Sequence, residues 1–386
     1  MSHDDDVARW VRTPTAALGL SDRPLVGEKG LNLARLQSHG QAVPPWYAIT
    51  PGALRDALDA ADLTTPIEEA LAPLIARRPG QLPPSSASDA SNSFDLTLEA
   101  VTVRVAHLLR QLAVPAAIER AIAAVHSRHI PAAAFCAVRA SVADGGAGSH
   151  AVAGLADAAL YVQGHAAIGE AVRGHWLRAY SAAALRHRHR SGLPLHPPAI
   201  AMVVQQMVDA ASSGVLHTAH PESGDVRTLL ACARFGVCGN DDDAAIAPRD
   251  VYEIDKTSRT LRQTVVEKPA QLGLDLVAGG VHRLPVPVRR RHTPSLGDDQ
   301  VRAVVRAGLD IERAYGQPQT IVFCIDPEGW LSVLRTRPAP SAAHVRGWIA
   351  GPAQRWLRAG WAERTPGDIA PLAFSLLRRT TAASAD

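Results

Sequence analysis

Helices and mostly antiparallel strands mixed along one chain, an α/β (α+β) fold, are what the sequence predicts, and three observations carry it. Ala-, Leu- and Val-rich segments of helical length fill the first half, interrupted by short β-rich runs such as PPWYAIT and FCAVRAS. From residue 199 onward the β-rich runs crowd together, separated by Gly, Pro, Asp and Ser. Late in the chain TIVFCID-PEG-WLSVLRTRP (320–338) reads as a hairpin turning at Asp326–Gly329. At roughly 150 residues per packed unit, 386 residues make two or three units with cores that need no disulfide or metal staple.

Taken in order, LVGEKGLNLARLQSHG opens on a turn with Lys29 between Gly27 and Gly30. Leu31, Leu33 and Leu36 then follow at near-helical spacing, and Gly40 is a natural stop. PPWYAIT is a short strand after a Pro turn. Residues 52–77 read as one helix, 79–94 as a Pro/Ser-rich loop, and 96–128 as helix again. FCAVRAS (135–141) is a buried strand followed by a Gly-rich stretch, and 165–190 is a helix ending in RHRHR. AIAMVVQQMV (199–208), SGVLHTAHPESG (213–224), RTLLACARFG and DVYEIDKTSRTLRQTVVEK supply strands; 297–316 is a helix, and the residues after Pro340 form a helical tail.

Composition excludes several classes. With 47% apolar and 20% charged residues and a formal net charge of +3, the chain is no disordered, collagenous or disulfide-scaffold protein. No apolar run is long enough to span a bilayer, and the acidic start MSHDDDVARW is no signal peptide. Cys136, Cys232, Cys238 and Cys324 are too scattered for a CxxC pair, which predicts buried reduced thiols and a cytoplasmic protein. Interspersed charges and 4% aromatic residues argue against nucleic acid as a partner. The 16 histidines show no HxxxH or HExxH spacing, so no metal site is assigned. Arg186–Arg190 and Arg289–His292 read as solvated basic faces, or as a docking surface for an acidic partner. The Trp-rich tail around Trp348, Trp356 and Trp361 reads as core packing, or as a partner interface.

The order of motifs resembles the N-terminal nucleotide-binding domain of the phosphoenolpyruvate synthase and pyruvate phosphate dikinase family over residues 20–340. VGEKGLNLARL is similar to the family's GGKGANLARL, VPPWYAIT to VPPGFVIT, AVRAS to AVRSS and AVAGLADAAL to SFAGQQDTYL. AMVVQQMVDAASSGVLHTAHPESG is similar to AVVVQRMVxxxxSGVxFTxxPxSG, and VYEIDKTSRTLRQTVVEK and AYGQPQTIVFCIDPEGWLSVLRTRP complete the series. The resemblance implies an ATP-grasp fold of two lobes around a nucleotide cleft, placed here at 1–200 and 201–340, with 341–386 as the tail.

It implies roles as well. Lys29, in a glycine turn at a helix start, suits phosphate oxygens. Arg139 on its buried strand calls for a carboxylate or phosphate partner. Gln205, Met207 and Val208 fall on the strand that meets the adenine, Gly154 in the glycine loop, Gly214 at the start of the SGV strand, and Arg337 in the closing motif that reaches the transferred phosphoryl group. Arg337 and Arg139 are the candidate catalytic residues and ATP the implied cofactor.

The departures are equally specific. Glu28 stands where the family has glycine. Thr320 and Val322 replace the acids of the metal-holding strand, Arg335 replaces the adjoining glutamine, and Gly236–Gly239 lacks the family's glutamate. Leu155 and Ala156 replace a polar pair. Mg²⁺ needs oxygen ligands, which valine lacks, so an ordinary Mg²⁺ site is not expected. Asp326 and Glu328 are expected in solvent in the hairpin turn. Gly145–Val152 echoes the family's phosphohistidine motif, by a chance expected of an Ala/Gly-rich stretch. Residues 341–386 are too few for the family's phosphohistidine and pyruvate-binding domains. Two readings follow: a phosphotransferase acting on a histidine domain in trans or on a small acceptor, or a degenerate pseudoenzyme that binds nucleotide or scaffolds a partner.

Overall fold

The computed structural model describes residues 3–14, 18–77, 88–144, 158–221, 223–237, 249–274 and 281–339. They form the mixed α/β class expected of the sequence, in two compact units. One holds the described residues up to Arg35 together with Pro44–Met207; the other holds Leu36–Val43 and the described residues from Val208.

In the first unit, helices α1 (His3–Trp10), α2 (Arg23–Ser38), α3 (Pro51–Ala60), α4 (Thr64–Ile75), α5 (Ser88–Leu108), α6 (Ala116–His129), α7 (Gly164–Arg178) and α8 (Ala182–Arg190) accompany five strands. The strands are β1 (Val11–Arg12), β2 (Trp46–Ile49), β3 (Phe135–Val142), β4 (Ala159–Gln163) and β5 (Ile200–Gln206). They make one antiparallel sheet in the order β1-β2-β5-β3-β4. One face of the sheet carries Tyr47, Ile49, Val138, Met202 and Val204 into the main apolar core, where they join Leu54, Leu71, Val105, Ile122 and Trp176. Because strand side chains alternate, the opposite face carries Trp46, Arg139, Ser141, Val203 and Gln205.

In the second unit β6 (Ser212–His217), β7 (Thr228–Phe235), β8 (Asp250–Asp255), β9 (Leu261–Thr264), β12 (Gln319–Ile325) and β13 (Leu331–Pro338) form a six-stranded antiparallel sheet. Its order is β13-β12-β6-β7-β8-β9, and β10 (Ala270–Leu274) pairs separately with β11 (Val281–Pro285). Helix α9 (Asp298–Tyr315) starts with Asp298 and Asp299, ends with Arg313, and stops at the left-handed Gly316 (φ 68°), all in the sense favoured by the helix dipole and C-cap geometry. It packs on the Leu216 face of the sheet, where Gly308 lies against Leu216 and Thr218. Asp250, fully buried, accepts from Lys268 Nζ at 2.6 Å, Val266 N at 3.0 Å and Ser295 N at 2.7 Å, so the buried charge is both paired and hydrogen-bonded.

Several elements differ from the sequence expectation. The single helix over 52–77 is two, because Asp62 adopts a left-handed backbone (φ 54°) between α3 and α4. The helix over 96–128 breaks before Pro115, which has no N–H to donate and disfavours helix in the residue before it. That over 165–190 breaks at Ser181, whose hydroxyl caps Ala184 N at 3.3 Å. The Arg186–Arg190 run is not a solvated face. Helical spacing turns Arg188 and His189 inward, where Arg188 pairs with Asp144 and also donates to the Pro194 carbonyl. Arg290 lies 4.6 Å over the Phe235 ring.

Cys136, Cys232 and Cys324 are buried thiols outside any disulfide. Among the described residues no helix is long and apolar enough to cross a membrane. Gly145–Val152, Gly154, Leu155, Ala156, Cys238, Gly239 and the tail 341–386 lie outside the described residues.

Candidate functional site

In the first unit the Gly27-Glu28-Lys29-Gly30 turn interrupts α2 rather than preceding it. Gly27 sits at φ 66°, ψ −179°, a kink inside the helix. A side chain there would run into the Ser141 hydroxyl and backbone. Ser141 Oγ donates to the Val26 carbonyl at 2.9 Å and accepts from Lys29 N at 3.0 Å, so β3 holds the turn from both sides. Lys29 Nζ donates to the Ala140 carbonyl at 2.6 Å, which brings the ammonium to the edge of the Arg139–Ser141 segment. Glu28 is neutralised by Arg23 at 2.8 Å, so the extra carboxylate does not leave a bare negative charge in the turn.

On the same face of that sheet, Arg139 Nη1 donates to Gln205 Oε1 at 3.4 Å. The amide oxygen is thus one acceptor of this arginine. Gln205 is 1% exposed, and its Nε2 is a buried donor with no acceptor among the described residues. Such a group costs stability unless a ligand or water satisfies it. Met207 and Val208 follow the end of β5. Met207 N donates to the Phe135 carbonyl at 2.8 Å, and its sulfur accepts from Tyr161 N at 3.1 Å. Lys29, Arg139, Gln205 and Met207 therefore gather on β3, β5 and the turn docked against them.

In the second unit the hairpin β12–β13 sets Thr320 opposite Arg337 and Val322 opposite Arg335. On the other side of β12, Thr320 faces His217 and Val322 faces Val215. Directly opposed residues of an antiparallel sheet share a face, so His217, Thr320 and Arg337 stand in one row and Val215, Val322 and Arg335 in the next. His217 Nδ1 lies 3.1 Å from Thr320 Oγ1. Burial, followed by the charges of Arg337, His220 and Arg249, holds the His217 pKa down to about 4. Arg249 also acts on Cys232, which is opposite Val215 on this face and whose thiol burial pushes up to about 11. Gly214 is pressed between Phe323 and the Cys232 carbonyl, so its place in the SGV strand is a close-packing requirement. Asp326 is not simply solvated: its carboxylate accepts from Trp330 N at 2.7 Å, closing the hairpin turn, while Glu328 is exposed.

The two rows do not suit Mg²⁺. They offer one hydroxyl, two valines, an imidazole and guanidinium groups, where a hard divalent cation takes oxygens and carboxylates. Among the described residues no group of three His, Cys, Asp or Glu can hold a metal. His217 and Arg249 escaped the sequence reading. His217 differs from the phenylalanine of the SGVxFT pattern, which was the available signal; Arg249 gave none.

Comparison with known proteins covers most of the chain. The model of the pyruvate phosphate dikinase AMP/ATP-binding domain matches residues 23–346. A rifampicin phosphotransferase of Streptomyces is 26% identical over 95% of this chain and 40% of its own length. A probable phosphoenolpyruvate synthase of Methanothermobacter thermautotrophicus is 27% identical over 83% and 45%. The chain thus spans about two fifths of the length of these curated relatives. Among solved structures, the D-alanine-D-alanine ligase of Coxiella burnetii overlaps 84% of this chain and 51% of its own at a TM-score of 0.28 and 9% identity, too little to bear on function. The ATP-grasp expectation therefore stands with the family match. Since that match takes in every strand of both sheets except β1, the Lys29 turn and the Arg337 hairpin, the chain belongs to the pyruvate phosphate dikinase AMP/ATP-binding domain family.

Proposed function

We propose that the chain binds an adenine nucleotide and serves as the ATP-handling part of a phosphoryl-transfer reaction. The observation that carries this reading is the Ser141 clasp on the kinked turn. It docks the turn on β3, where the Lys29 ammonium donates to the Ala140 carbonyl on the strand that also carries Arg139 of the Arg139–Gln205 pair, a cation and donor set of the kind that polyphosphate and ring nitrogens engage. Family membership supports it. Lys29 and Arg139 take phosphate oxygens, the orphaned Gln205 Nε2 donates to a ring or phosphate acceptor, and Met207 and Val208 offer apolar contact to the base. Gly154 is assigned to the phosphates by the family resemblance alone, and Arg337 engages the transferred group. The lobes are those placed at 1–200 and 201–340, and the protein is cytoplasmic.

The phosphoryl acceptor is a histidine domain, on a partner chain or elsewhere, or a small molecule, the latter by analogy with the rifampicin phosphotransferases. One specific observation favours a second reading, a pseudoenzyme that binds nucleotide to regulate or complete a partner: the strand positions paired with Thr320 and Val322 hold no carboxylate among the described residues. Calorimetry with ATP, ADP and AMP on the folded chain tests the shared premise. Binding that Lys29→Ala and Arg139→Ala each weaken is expected; absence of binding by any of them at millimolar concentration refutes it. Transfer of ³²P from ATP to a histidine domain or small acceptor then separates the two readings.

A further inference from the structure

Along one side of the first unit three hollows follow one another, of about 430, 430 and 420 Å³. Arg12, on the edge strand β1, lines the first and the second; Arg128 and His129, at the end of α6, line the second and the third. The three therefore make one groove, running from the start of α3 past β1 to the start of α7. Its charges are unequally used. Among the described residues three carboxylates line it, and each is engaged within the unit. Asp22 accepts from Gly19 N, Asp56 from Arg9 and Trp10, and Asp59 from the Thr64 hydroxyl. Arg12, Arg55 and Arg128 have no carboxylate partner among the described residues, and Arg55 and Arg128 are exposed. The third hollow has basic lining alone, with His165 beside Arg128 and His129. Arg128 and His129 also offset the dipole at the end of α6, but Arg12 and Arg55 have no such duty. The Arg12 Nε is moreover a buried donor with no acceptor among the described residues, which costs stability unless an occupant supplies one.

We propose that this groove docks an extended acidic segment of a protein partner, with Arg12, Arg55 and Arg128 each taking a carboxylate. A guanidinium grips a carboxylate with two parallel donors, and the unpartnered Arg12 Nε is one member of such a pair. The helix starts agree. Neither α3 nor α7 has a side-chain cap, and their first residues line the two ends of the groove, where negative charge is favoured. Leu25 in the first hollow and Val11 and Leu18 in the second lie between the basic positions, so apolar side chains of the segment fit between its acids. Among the described residues no aromatic side chain lines the groove, which leaves no platform for stacked bases and sets a nucleic acid aside. Lys29, Arg139 and Gln205 do not line it, and the proposal does not rest on the nucleotide reading.

The test is fluorescence anisotropy of the full chain, without nucleotide, using a labelled Glu-Pro repeat peptide, which is extended in solution. A Gln-Pro repeat of the same length and a single-stranded oligonucleotide are measured beside it. The Glu-Pro peptide should bind, and more weakly as salt rises, while the Gln-Pro peptide should not bind. Arg12→Gln, Arg55→Gln and Arg128→Gln should each weaken binding about two- to fivefold, and the triple variant by roughly the product. Arg104→Gln, at an exposed arginine of α5 outside the groove, should leave binding unchanged. Hydrogen exchange in the complex should slow at 9–13 and 127–132, with circular dichroism confirming that each variant is folded. The proposal is overturned by a Glu-Pro peptide that does not bind, or that binds the folded triple variant as tightly as the wild type. It is equally overturned by protection confined to other segments, or by Gln-Pro or oligonucleotide binding as tight as that of Glu-Pro. No nucleotide enters the measurement, so such a failure leaves the nucleotide reading to its own calorimetry.

Discussion

At Gly27 the backbone is left-handed and the Ser141 hydroxyl occupies the space a Cβ would need. Gly27→Ala should therefore destabilise the protein by about 2–4 kcal/mol and weaken nucleotide binding with it. Gly40 is the control. It too has a positive φ (72°), but nothing lies within 4 Å of its Cβ position, so Gly40→Ala should cost about 1 kcal/mol and leave binding alone. Urea unfolding of the two variants checks the difference. His217 makes a second residue-scale prediction. Folding holds its pKa at about 4, below the ordinary 6.5, so the folded state favours the neutral ring. Its contribution is complete above pH 6.5, is lost as pH falls from there toward 4, and changes little below. Up to roughly 3 kcal/mol is at stake in that window. Unfolding curves of wild type and His217→Phe should diverge in slope between pH 6.5 and 4 and run parallel above.

Among the elements, β8 is fixed through Asp250 at its first residue. This one carboxylate gathers the Lys268 ammonium and the amides of Val266 and Ser295, tying the sheet to the segment after β9 and to the approach to α9. Lys268 also lies 5.4 Å from the Phe235 ring, on which Arg290 stacks. Lys268→Met would leave a fully buried carboxylate without its counter-charge, an outcome that costs about 3–5 kcal/mol. Thermal unfolding should show that loss, and Lys268→Arg should recover only part of it, because the buried pocket is fitted to a compact ammonium. The Arg188–Asp144 pair plays the same part in the first unit, joining α8 to the end of β3.

For the whole molecule, ligand binding and stability are linked. A nucleotide at a hundred times its dissociation constant should stabilise the folded chain by about 2.7 kcal/mol, read as a rise in Tm. Mg²⁺ should change that rise little in the wild type. Thr320→Asp, Val322→Glu and Arg335→Gln together place two carboxylates and an amide on adjoining positions of β12 and β13. The triple variant should make the stabilisation by ATP depend on Mg²⁺; an unchanged response in the folded variant, or a strong Mg²⁺ requirement in the wild type, contradicts the reading of this face.

The sequence by itself determined the class, the family and most strand positions. β2, β3, β5 and the 320–338 hairpin announce themselves by apolar runs and turn residues, signals that depend on near neighbours alone. Motif order likewise put Lys29, Arg139, Gln205 and Arg337 forward before any geometry. Helix ends at Asp62, Pro115 and Ser181 were lost in long apolar segments because continuous helical spacing outweighs a single breaker in such a reading. Only the tertiary structure decided which side chains share a face. Register set His217 beside Thr320 and Arg337 across three strands, and folding turned Arg188, inside a run of bases, toward Asp144. Cross-strand register and burial are set by residues distant in the chain, His217 and Thr320 among them, and local composition carries no record of such pairings.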